Sequence, residues 1–180
     1  MAKFHDSLTH DLRDFIALQK MFFTASAAVT GRVNLSPKGM DTLRVLSERE
    51  LCYLDLTGSG NETAAHLRAA NRMTFMWCSF DEKPLILRVY AAGRSILPRD
   101  ARWNEFASMF PQHPGMRQII LAQVQSVQTS CGFGVPLYDF RAERPTLDEW
   151  TAKKGEAAIE RYWLEKNAKS IDGLETGIVG

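Results

Sequence analysis

Three stretches of this 180-residue chain gather side chains that could hold an anionic ligand. In GRVNLSPKG (31–39) a strand edge runs into Ser36, Pro37, Lys38 and Gly39. They offer a hydroxyl, a compact ammonium and a backbone that a phosphate can approach closely. In TGSGNETAAHL (57–67) a glycine-rich loop leads from a strand into a helix start. Free N–H groups and the helix dipole favour an anion there. The same pattern also describes a plain capped helix, and Glu62 would repel a phosphate unless it turned to solvent. The loop lacks both the GK[ST] of a Walker A motif and the G-x-G-x-x-G spacing of a dinucleotide site. Arg88, inside the apolar LILRVYAAG, either faces solvent or is held for a ligand or partner. Asn61, Thr63 and His66 share roughly one helical turn, and Ser36 and Lys38 alternate onto one side of an extended segment. The two sets could meet over one anion.

Other chemistries find little support. Cys52, Cys78 and Cys131 are odd in number and form no CxxC pair, which argues against a disulfide framework and against zinc. The first two lie in apolar strand-like runs and read as buried thiols, whereas Cys131 in SCGFGVP stays open to a functional role. His5 and His10, five apart, do not share the helix face that a metal pair needs; we expect no metal. Twenty-two Lys+Arg balance 21 Asp+Glu, so no overall field draws a nucleic acid. No stretch approaches the ~18 apolar residues of a membrane helix, and the start has no signal-like apolar region; a cytoplasmic protein is the expectation. No Ser/His/Asp arrangement or helically spaced carboxylate pair is evident, and Asp55, Tyr90 and His66 are the available proton donors.

The elements that must position these groups are mainly strands. Leu8, Leu12, Phe15 and Ile16 recur at helical spacing and predict an N-terminal helix within residues 1–20, capped by Asp6 or Ser7. Short strand-like runs follow at 22–29, 32–36, 42–46 and 51–56, the second ended by a Pro-Lys-Gly break. ETAAHLRAA (62–70) predicts a short helix capped by Asn61 or Ser59. Segments 71–80 and 84–97 read as a long hairpin, with Gly93 at a bulge or a close backbone approach. An amphipathic stretch at 99–110 precedes a last strand at 117–130, which completes a barrel over 21–130. The extension 131–180 is helical, opening with a Thr146/Glu149 capping box and breaking near Gly155.

The order FFTASAA-GRVNLSPKG, LCYLDLTGSGNETAAHL, RMTFMWCSF and LILRVYAAGR resembles the pyridoxamine 5'-phosphate oxidase-like family of flavin mononucleotide (FMN)-binding split barrels. The ending, QTSCGFGVPLYDF and WTAKKGEAAIERYWLEKNAKSIDGL, is similar to a bacterial subgroup of that family. The resemblance implies a mainly β, α+β fold: a six-stranded antiparallel Greek-key split barrel, one domain, forming a homodimer with FMN between protomers. It implies that Asn34, Leu35 and Ser36 border the flavin ring and that Lys38 holds the phosphate. Leu56 and Thr57 end the next strand of the site, and Asn61 and Thr63, with His66 nearby, stand where the oxidase has its phosphate cluster. Arg88 reaches the flavin from the opposite subunit. Glu62 departs from that cluster, and the oxidase's C-terminal Arg-x-His element has no counterpart, since NAKSIDGL stands in its place. The implied function is an FMN-dependent oxidoreductase on a small organic substrate. The alternatives are a flavin- or haem-binding module without turnover and a deazaflavin-dependent reductase.

Overall fold

The computed structural model describes residues 2–179. Its strands are β1 (Lys3–His5), β2 (Phe22–Ser26), β3 (Asn34–Lys38), β4 (Leu43–Val45), β5 (Glu50–Leu56), β6 (Met73–Cys78), β7 (Ile86–Ile96) and β8 (Met116–Ser130). The helices are α1 (His10–Leu18), α2 (Glu62–Ala70), α3 (Trp103–Ala107), α4 (Thr146–Lys154) and α5 (Glu156–Tyr162), followed by a π-helical turn at Trp163–Asn167. The strands form one antiparallel sheet in the order β3-β2-β6-β7-β8-β5-β4, with β1 added to β8. This is the expected split-barrel class; β1 and β4, three residues each, bring the strand total to eight.

Strand β8 joins the two halves. One edge pairs with β7, while the other pairs with β5 over its first half and with β1 near its end. Alternation in β6 sends Met73, Phe75 and Trp77 inward, where Phe75 and Trp77 meet Phe22 and Phe75 meets Tyr53, ring centroids 6.0–6.2 Å apart. β5 is buried on both faces because Leu51 and Tyr53 fill the barrel while Cys52 and Leu54 pack outward on Phe106, Phe110 and Ile119. The Cys52 thiol is accordingly pushed up to about 12, burial being the main cause. The sheet does not close between its edge strands β3 and β4; the Lys38–Asp55 ion pair at 2.8 Å crosses that open side from β3 to β5, the strand next to β4.

Several local expectations are corrected by pairing. Residues 3–5 take an edge of β8 instead of entering the first helix, so His5 lies in a strand, and the helix begins later, capped by Thr9, whose Oγ1 accepts the Leu12 N–H. β2 stops at Ser26 rather than 29, and β3 runs through Pro37 to Lys38 instead of breaking at Pro37. Proline is tolerated there because β3 is an edge strand with one side free of ladder partners. Only 103–107 of the predicted 99–110 helix forms. Thr146 is the first helical residue after Pro145, so no capping box is made. The bulge in the β7–β8 pairing lies opposite Tyr90 and Ala91, where β8 carries the extra residue Gln125, and not at Gly93. Gly93 serves the close approach instead: a Cβ there would lie 2.8 Å from Met73 Sδ and 3.1 Å from Leu67 of α2. Gly93→Ala should cost about 1–3 kcal/mol from overpacking, measurable as a drop in urea midpoint at unchanged slope.

Candidate functional site

Asn34, Ser36 and Lys38 alternate onto the barrel side of β3, and α2 lies against the same end of the barrel, its contacts being with β2 and β7. The two sets of residues singled out above therefore do meet. Ser36 Oγ donates to Asn34 Oδ1 at 3.2 Å, and Asn34 Nδ2 donates to Thr63 Oγ1 at 3.1 Å. The Thr63 hydroxyl proton, at the end of this relay, has no formed hydrogen bond to another group among the described residues. One turn further, His66 Nδ1 pairs with Ser26 Oγ at 3.0 Å, while its Nε2 is buried without a partner. The Thr24 hydroxyl and the Tyr53 phenol are likewise buried and unpartnered. Burial first and the nearby Asp55 second push the Tyr53 phenol up, with the hydroxyls of Thr63 and Thr24 close enough to oppose the shift. Three of the seven buried side-chain polar atoms without a hydrogen bond among the described residues fall in this one region, which suits it to a polar guest.

Lys38 is committed to Asp55, which is 2% exposed. The same carboxylate accepts from Arg117 at 2.6 Å and from Gln118 at 2.8 Å. Burial by itself would raise the Asp55 carboxyl, but the Arg117 guanidinium and the Lys38 ammonium outweigh it and hold the group well below the usual carboxylate range. Asp55 is thus a charged anchor and not a proton donor. Gln118 Nε2 also donates to Asn61 Oδ1 at 2.6 Å, which fixes Asn61 at the start of α2 but takes its side chain away from capping. The first turn of α2 is left without a side-chain cap.

Leu35 and Arg88 point to the other face of the sheet. Arg88 sits on β7 between Met76 and Gln128 in register, and its guanidinium donates to Ser130 Oγ at 3.2 Å. Leu35 is 64% exposed at the sheet edge. A single chain does not bring them to Asn34, Ser36 and Thr63. Tyr90, also on that face, donates to Gln128 at 2.8 Å, so of the expected proton donors only His66 belongs to the cluster with a nitrogen to spare. Cys131 is exposed just beyond β8. Among the described residues no cluster of three or more His, Cys, Asp or Glu could hold a metal, and no helix is long and apolar enough to cross a membrane.

A family model for pyridoxamine 5'-phosphate oxidase matches residues 8–131. The chain is also 38% identical, over 97% of its length and 77% of the relative's, to ustO of Aspergillus flavus, a pyridoxamine 5'-phosphate oxidase family protein. This chain belongs to the pyridoxamine 5'-phosphate oxidase family. Among solved structures, a protein of Lactobacillus delbrueckii bearing the family's name superposes with TM-score 0.56 at 15% identity, over 68% of this chain and 94% of that one. HupZ of Group A Streptococcus gives TM-score 0.55 at 14% identity, over 68% and 99%. Both likenesses show the shared fold.

In this family member the segment beyond the matched 8–131 region supplies part of the site wall. Trp163 Nε1 donates at 2.8 Å to Thr57 Oγ1, which itself donates to the Gly115 carbonyl. Thr57 is therefore fully engaged, and Leu56 packs with the outer cluster beside α3. Asn167, fully buried, accepts from Arg117 through Oδ1 at 2.8 Å and donates to the Gly58 carbonyl at 3.1 Å. Its own carbonyl accepts from Asn61 and Thr176. Glu62 turns not to solvent but to the Ile171 N–H, at 3.0 and 3.2 Å. Sequence reasoning missed Arg117, Gln118 and Asn167. The signal available was the pair of polar residues opening the apolar strand RQIILA, which a strand face alone does not explain.

Proposed function

We propose that this protein is a flavoprotein that binds FMN and acts as an FMN-dependent oxidoreductase on a small organic substrate, as a cytoplasmic homodimer. The observation that carries this reading is the Ser36–Asn34–Thr63 relay, which ends in an uncommitted hydroxyl proton at an uncapped helix start and lies beside the buried unpartnered His66 Nε2. A phosphate accepts such donors, and membership in the family favours a flavin as its bearer. The donor set fits the phosphate through hydroxyl, amide and imidazole groups rather than through Lys38, whose charge Asp55 already balances.

When bound, the flavin supplies the hydride chemistry. The chain's own residues bind and orient it: Thr63, Asn34 and the first-turn amides of α2 would hold the phosphate, and His66 is the group placed to hold or pass a proton. The outward positions of Leu35 and Arg88 suit contact with a flavin shared with a second copy. Exposed Phe4 (70%) and Leu35 (64%) lie at opposite ends of the β1 and β3 edges flanking that face.

Thr63→Val keeps the shape and removes the hydroxyl. It should weaken FMN roughly ten- to a hundredfold and leave riboflavin unchanged, as expected for a hydrogen bond to a charged group. Flavin fluorescence titration reads both; equal loss of the two ligands would place the phosphate elsewhere. A second reading, flavin carriage without turnover, is favoured by the engagement of Asp55 and Tyr90 in structural bonds. NAD(P)H consumption by the loaded protein with candidate acceptors separates the two.

A further inference from the structure

The β2–β3 turn holds a carboxylate more closely than a surface ion pair requires. Asp172, in the turn 170–174 of the C-terminal segment, accepts the Arg32 backbone N–H through Oδ2 at 2.7 Å and the Arg32 guanidinium through Oδ1. That Oδ2 lies 2.6 Å from where a Cβ on Gly31 would stand, and Gly31 has φ +95°, so the approach exists only because residue 31 has no side chain. A glycine, a backbone amide and a guanidinium converging on one oxygen pair make an anion cradle. The Arg32 backbone N–H contributes most to holding the Asp172 carboxyl below its ordinary range, against a smaller effect of burial, and the Arg32 side chain and His66 add to it. Asp172 follows Ile171, whose N–H bonds Glu62 in the first turn of α2, so this carboxylate lies beside the candidate phosphate site.

The two cations near that site are each balanced by the chain itself: Lys38 by Asp55, Arg32 by Asp172. Asp55 is fixed by Lys38, Arg117 and Gln118 and cannot leave. Asp172 is held differently. Its partner Arg32 is 68% exposed, Ile171 beside it is 68% exposed, and its turn contains Gly173 (φ +81°) and is followed by Gly177 (φ +78°), whereas the buried anchor of the segment is Asn167. Besides the bonds of Asp172, the turn is held to α2 through the Ile171 N–H on Glu62, and it makes no bond to the Asn167 side chain, which is taken by Arg117 and Gly58.

We propose that the Gly31–Arg32 turn is a phosphate-monoester cradle and that Asp172 is its displaceable occupant. A ligand phosphate takes the carboxylate's place on Arg32, and the turn 170–174 swings away from α2. The proposal rests on the flavin reading only for the identity of the phosphate's bearer.

The test titrates inorganic phosphate, FMN and riboflavin onto protein freed of bound small molecules, as wild type, Asp172→Asn and the double variant Asp172→Asn/Arg32→Gln. Asn at 172 still accepts the Arg32 N–H, so the fold is kept. Asp172→Asn should bind inorganic phosphate and FMN roughly tenfold tighter, with riboflavin unchanged, and the double variant should lose the gain. In wild type, phosphate should speed hydrogen exchange at the Ile171 amide, which now bonds Glu62. Unchanged or weaker phosphate binding by Asp172→Asn, or a gain that survives in the double variant, overturns the cradle. If phosphate behaves as expected and neither flavin binds, the cradle stands and the flavin reading fails.

Discussion

Asp55→Asn should destabilise the protein by about 3–5 kcal/mol, because it removes the charge from a buried group while leaving two cations in place. Arg117, 3% exposed, would lose the partner at 2.6 Å, and Lys38 the one at 2.8 Å that ties β3 to β5 across the open side of the sheet. Urea denaturation followed by tryptophan fluorescence measures the loss. Adding Lys38→Met should recover part of it, since one uncompensated charge is removed; full additivity of the two substitutions would show that they do not interact. The pH dependence has a definite sign. The folded carboxyl titrates below its unfolded value of about 3.9, so its stabilisation is present above that pH and is lost as pH falls below it. The wild type should begin losing stability below roughly pH 4, and Asp55→Asn should show a shallower acid slope over the same window.

Asn167→Ala should cost about 2–4 kcal/mol, as two buried hydrogen bonds are lost and Arg117 and the Gly58 carbonyl are left short of a partner. The effect should be regional as well as global. Without this clamp the C-terminal segment is tied to the 57–61 loop through Trp163 and Thr57 on one side and through the Glu62 and Arg32 contacts on the other. Hydrogen exchange should rise across 163–179 and at the start of α2 before the barrel strands respond. Uniform acceleration through β6–β8 would instead mean that the clamp stabilises the barrel as a whole.

Much of the barrel was legible without coordinates because its information is local. Period-two burial in Met73–Cys78 and Ile86–Ile96, the continuous apolar run of Leu51–Leu54 and the alanine-rich 62–70 each declare their element, and their order resembles one family closely enough to name the fold. The inward alternation of Asn34, Ser36 and Lys38 and the shared turn of Thr63 and His66 were equally local, so their meeting could be anticipated. What only the tertiary structure decided is which charges find which partners. Asp55 and Arg117 are 62 positions apart, and Asn61 and Asn167 are 106 apart. Spacing carries no record of such pairs, because they are made by strand order and by where the C-terminal segment returns. That is why Lys38 reads as a free phosphate cation in sequence and proves to be the counter-charge of a buried aspartate. It is also why Arg88 stands on the opposite face from Thr63, and why Arg32 and Asp172, 140 residues apart, show an anion cradle only once the chain is folded.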